Sequence, residues 1–217
     1  MNRFLRATVF VMTVSLLLPA GCDRSGKTKP NHSATDRGAP KASPVPSDHL
    51  VEVPNPLYAS WADFPVGTTV IIRDVHEHAG NRTASIKTLK LVEKTSDMAV
   101  VEEQITTTYP DGRKEENPVM RHEHGRIARV PEGTDPKSLG RGGKPLEEGT
   151  EKLRTPIGDL ETSWYTFKGR VEAGEILHKV WTSPAVPGGT VKVESRVPAL
   201  TSLTVLEVIE VRRPNMP

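Results

Sequence analysis

The chain has 217 residues, of which 35% are hydrophobic, with 29 Lys and Arg against 27 Asp and Glu and a single cysteine. Seven of the bases but only two of the acids, Asp23 and Asp36, precede Asp48, which leaves 22 bases against 25 acids in the remainder. The isoelectric point of 8.7 therefore arises in the N-terminal stretch, and the body lacks the basic footprint of a nucleic-acid binder.

Taken in order, the chain begins with Arg3 and Arg6 and no acid, followed by an apolar run over residues 7–18 broken only by Thr8, Thr13 and Ser15. This is a charged n-region and an h-region, too short for a spanning helix of roughly 20 apolar residues. It ends in Ala20 and Gly21, directly before Cys22. An exported chain with one cysteine forms no internal disulfide, so the thiol is either modified or left free after ordinary secretory cleavage.

Leu18-Pro19-Ala20-Gly21-Cys22 resembles the lipobox of bacterial lipoproteins, with Pro19 where that family usually has an aliphatic residue. The resemblance implies a signal peptide over residues 1–21, cleavage before Cys22 and acylation of its thiol. It also implies an exported protein held by lipid to a bacterial membrane facing the periplasm, with about 0.8 kcal/mol gained per buried CH₂ of the acyl chains. Asp23 resembles an inner-membrane retention signal, and the choice between inner and outer membrane stays open.

Residues 22–47 are rich in Ser, Pro, Gly, Lys and Thr with scarcely an apolar side chain. Such a segment buries too little surface to offset its ordering entropy and reads as a disordered tether. Residues 48–213 are expected to form one β-rich domain and residues 214–217 a tail.

Asn55 before Pro56 reads as a helix cap and first helical position, and Pro65 as the stop, predicting a short helix over residues 56–62. Runs rich in Val, Ile and Thr at 68–78, 83–93, 98–108 and 113–123 predict strands of an antiparallel meander. Pro110-Asp111-Gly112 supplies one of its turns. Residues 131–150 read as a long loop. Within it Gly140-Arg141-Gly142-Gly143-Lys144 lacks the spacing and the following Ser or Thr of a P-loop and is expected to be flexible.

Strands are predicted again over 160–168, 175–183, 189–197 and 202–211, with a turn at Pro184-Ala185-Val186-Pro187-Gly188-Gly189. The fold class expected is mainly β: a single domain of curved antiparallel sheet, meander and half-barrel-like, with about 8–10 strands and one short N-terminal helix. Two strand-rich halves suggest an internal duplication.

His76 and His78 lie two apart on a strand and offer two imidazoles on one face, as do His122 and His124, which makes His76 and His78 weak metal candidates. In a meander the two pairs end the first and fourth strands and lie at opposite ends of the sheet, so no four-histidine site is expected. No nucleophile elbow or zinc-protease motif is present, and the chain reads as non-enzymatic, with no cofactor. Trp61, Trp164 and Trp181 read first as packing residues; Trp164 and Trp181 are also candidates for lining an apolar cleft.

The body resembles half-barrel envelope lipoproteins, lipoprotein carriers among them. Asn55-Pro56-Leu57-Tyr58 and Val186-Pro187-Gly188-Gly189 are similar to motifs of exported lipoproteins of planctomycete-like bacteria. The resemblance implies an anchored protein whose sheet binds a hydrophobic ligand or an envelope partner, or a scaffold that recognises a protein through a strand edge. An envelope hydrolase is a minor alternative.

Overall fold

The computed structural model describes residues 50–135 and 138–214. The signal, Cys22 and the tether lie outside the described residues, as does the end of the tail. The body is mainly β and antiparallel, with one short helix and a sheet that does not close.

Leu50–Pro54 (β1) leads into the helix Pro56–Ala62 (α1). The Asn55 side chain accepts the Leu57 N–H at 3.0 Å, Pro56 occupies the first turn, and the Asn55 amide donates to the Gly125 carbonyl at 2.8 Å. The cap therefore starts the helix and fastens it to the sheet. At the other end the Lys94 ammonium donates to the carbonyl of Ala62 (2.9 Å), a group the helix terminus leaves unsatisfied, and to that of Phe64 just beyond it (2.7 Å).

Five strands follow the helix: Thr69–His78 (β2), Asn81–Lys94 (β3), Met98–Thr108 (β4), Lys114–Glu116 (β5) and Met120–Gly125 (β6). The predicted run 113–123 is thus two strands. Both pair with β4 along different parts of its length, with Pro118, which has no N–H to give, between them. Ile127–Pro131 (β7) pairs with β1 in a separate two-stranded sheet that the sequence reading missed.

The second half comprises Glu147–Thr155 (β8), Gly158–Val171 (β9), Gly174–Thr182 (β10), Thr190–Val197 (β11) and Ser202–Arg212 (β12). In the large sheet the order is β5-β4-β3-β2-β12-β11-β10-β9-β8, with β6 also on β4. Two meanders are joined where the first strand of one, β2, pairs with the last strand of the other, β12.

The expected loop over 131–150 is shorter than the sequence suggested, because β8 begins at Glu147. Six of its nine residues are exposed, so no apolar alternation announces it. Residues 141–143 of the remaining loop pack against the sheet. A side chain at Gly143 would meet the Phe167 ring at 2.9 Å, Gly142 lies closer still, and Arg141 sits 4.8 Å over the Tyr165 ring. Gly142 and Gly143 thus serve close approach to the Phe167 ring, where flexibility was expected.

The main core lies under α1. Trp61 and Phe64 meet Val70, Ile72, Leu91, Val101 and Val208, and the turn carrying Val186 closes one end. There the Gly188 N–H donates to the Ser60 carbonyl at 3.0 Å, and the glycine lets that backbone pass against the Trp61 indole. A second cluster of Tyr165, Phe167 and Val180 lies beneath the Arg141–Gly143 segment.

Candidate functional site

Residues directly opposite in an antiparallel pair share a face, so the register assigns each side chain its neighbours. Trp164 is opposite Trp181, Trp181 opposite Lys192, Lys192 opposite Glu207 and Glu207 opposite Arg73. The two candidate tryptophans are thus brought together. The Lys179 ammonium lies 4.3 Å from the Trp164 ring centroid and 4.5 Å from that of Trp181, and Lys192 lies 5.2 Å from Trp181. The Trp181 indole N–H donates to Glu151. That bond above all, with Lys179 and Lys192 adding to it, holds the Glu151 carboxyl below its usual range against the opposing effect of burial.

Trp164 is half-buried and Trp181 is closed off from solvent. Trp181 is 5% exposed, and its ring faces are engaged by the chain's own lysines. A cleft of about 200 Å³ lies farther along the same face, lined by Val75, Leu203 and Val205 between the ion pairs Arg73–Glu207 (3.2 Å) and Arg82–Glu77 (3.6 Å). A wider, open groove of about 750 Å³ lies among Phe64, Pro65, Pro184, Arg213 and Pro214. Neither tryptophan lines either of them.

The opposite face carries a polar shelf that the sequence did not reveal. One row runs Phe167, His178, Ser195, Thr204, His76 and Thr83; the next contains Leu206, Asp74, Ser85 and Thr107. His178 Nδ1 is 2.8 Å from the Ser195 hydroxyl, His76 Nδ1 is 2.9 Å from that of Thr204, and Ser85 and Thr107 share a 3.0 Å hydrogen bond. Burial pushes the Asp74 carboxyl up, against the smaller pull of Lys87 and His76, and its Oδ1 has no hydrogen-bond partner. Lys87 pairs with Glu103 at 3.2 Å, and His122 Nε2 lies 3.5 Å from the same carboxylate, outside hydrogen-bond geometry. No motif places Asp74, Lys87 and Glu103 together; only the strand register does.

His76 and His78 stack at 6.4 Å near the β2–β3 hairpin, and His122 and His124 stack at 6.4 Å on β6. His76 is opposite Thr83, whereas His122 is opposite Val101 near the far end of β4. The two pairs do not meet, and among the described residues no group of three or more His, Cys, Asp or Glu is placed to hold a metal. Burial holds His178 and His124 below the usual imidazole range, with His122 adding to the shift at His124. The His178–Ser195 pair has the distance of a base and nucleophile. Among the described hydrogen bonds, none joins a carboxylate to that imidazole to orient it, as the triad logic requires.

The sequence matches no family model and no curated protein. Among solved structures it is similar to a Bacteroides fragilis protein classed as exported, with a YmcC-like fold: 10% identity and TM-score 0.44, over 70% of this chain and 99% of that one. It is also similar to a protein of Parabacteroides distasonis classed as a lipoprotein, with 14% identity and TM-score 0.38 over 69% and 97% of the two chains. A third is a hypothetical protein of Chlamydia trachomatis, at 10% identity and TM-score 0.39 over 77% and 99%. With so few identical residues, the functional reading rests on this chain's own side chains.

Proposed function

We propose that the protein is a non-enzymatic envelope lipoprotein, acylated on Cys22, that holds its β body beside a bacterial membrane and presents the open sheet to an envelope protein. The observation that carries the anchor is the lone Cys22, placed directly after an export-type apolar run and a small-residue pair. Two or more acyl chains give stable attachment without a spanning helix.

A protein partner is favoured over an enclosed acyl ligand because the space beneath α1 is occupied. Leu91, Val70, Val191 and Val208 are at most 1% exposed, with Trp61 and Phe64 inserted above the sheet. Fractionation of cells expressing the full chain tests the anchor. The native protein is expected in the membrane pellet after a high-salt wash and the Cys22→Ser variant in the soluble fraction. Equal retention of both chains in the pellet would refute acyl anchoring.

A further inference from the structure

We infer that β8 is a docking edge whose occupant is the β8 of a second copy, paired antiparallel about a two-fold axis at Thr150. β8 ends the large sheet and has no outer partner strand among the described residues. It is nine residues long and free of proline, so its outward N–H and C=O groups form a ready template for pairing. The other end of the sheet is less suited, being divided into β5 of three residues and β6 of six.

The charges of β8 select both the partner and the register. Its first half holds Glu147 and Glu148, its second half Lys152 and Arg154, with Glu151 between. A two-fold axis normal to the sheet allows only registers in which one residue meets its own copy. Centred on Gly149, Glu147 would oppose Glu151; centred on Glu151 or Lys152, those residues would oppose themselves; centred on Leu153, Lys152 would oppose Arg154. Like charges directly opposite are destabilising.

Centring on Thr150 avoids every such pair. Glu148 then opposes Lys152 twice, Gly149 opposes Glu151, and Leu153 opposes Glu147. Arg154 lies over Leu146, which is 56% exposed in the single chain. The arrangement is isologous and closes at two copies, whereas joining β8 to the opposite edge of another copy would be heterologous and propagate. Thr150, Glu148 and Lys152 are all exposed. The Arg141–Glu148 (3.2 Å) and Lys152–Asp159 (3.3 Å) pairs are exposed contacts that can be exchanged at little cost.

Mild oxidation of the full-length protein in its membrane tests the inference, with the parent chain, whose only cysteine is Cys22, setting the background. The inference does not depend on acylation, and a high background is removed by repeating the test in Cys22→Ser. Thr150→Cys places two thiols on opposed residues about 4.5–5.5 Å apart at Cα, within disulfide reach. Glu147→Cys places them six residues apart, roughly 20 Å. Cross-linking through Thr150→Cys is expected to exceed that through Glu147→Cys by about tenfold or more. It should fall when either Glu148→Lys or Lys152→Glu is added and return when both are. Equal cross-linking at the two positions, or no recovery in the double exchange, would overturn the inference.

Discussion

Trp164 and Trp181 stand directly opposite each other on neighbouring strands, and one ammonium, that of Lys179, lies over both rings. The pair joins β9 to β10, and Glu151 ties β8 to it through the Trp181 N–H. Trp181→Ala is expected to cost about 3–5 kcal/mol, the range for emptying a buried large aromatic site. Trp181→Phe should cost less, since it keeps most of the buried area. Lys179→Met should cost under about 1 kcal/mol, as for a partly exposed cation over a ring. Urea unfolding monitored by circular dichroism reads all three, and a cost for Lys179→Met equal to that for Trp181→Ala would contradict this ranking.

The helix cap separates two roles of one side chain. Asn55→Asp keeps an acceptor for the Leu57 N–H but loses the donor to Gly125, whereas Asn55→Ala loses both. Asn55→Ala is expected to lower stability by about 1 kcal/mol or somewhat more, and Asn55→Asp by less. Thermal melts of the two variants check the order.

The segment preceding β8 is held by contact of its glycines with an aromatic ring. Gly142→Ala brings a methyl group into the Phe167 ring, an overpacking expected to cost about 1–3 kcal/mol or to lift the segment off the sheet. Limited proteolysis is expected to cut within residues 138–146 faster in Gly142→Ala. The double variant Gly142→Ala with Phe167→Leu should recover part of the resistance.

The sequence showed the helix almost to the residue, because Asn55, Pro56 and Pro65 act through local chemistry. It also showed most strands of the two meanders, whose buried positions are mainly Val, Ile, Leu and aromatic residues. β8 was invisible because an exposed edge of Glu, Lys, Arg and Thr has no apolar period. β1 and β7 were invisible because each is short and pairs with a strand more than seventy residues away. The tryptophans were legible as candidates but their pairing was not, since it depends on the register of β9 against β10. Asp74, Lys87 and Glu103 carry no local signal at all.

Asp74 gives the pH dependence a sign. Its carboxyl is raised in the folded chain by burial, so the folded state binds its proton more tightly than the unfolded state does. Below the unfolded value of about 3.9 both states are protonated and Asp74 has no effect. As pH rises through the raised folded value, ionisation costs stability. Asp74→Asn is therefore expected to be more stable than the parent at neutral pH, with the gain vanishing in acid. Urea midpoints at roughly pH 7 and pH 3 check this; a constant difference between the chains would assign the effect to packing instead.

The most direct test of acyl anchoring at Cys22 is the intact mass of the protein purified from its native membrane. Acyl anchoring predicts a chain that begins at Cys22 and carries the added mass of several acyl chains. A chain cut elsewhere, or one with an unmodified Cys22 thiol, would contradict it.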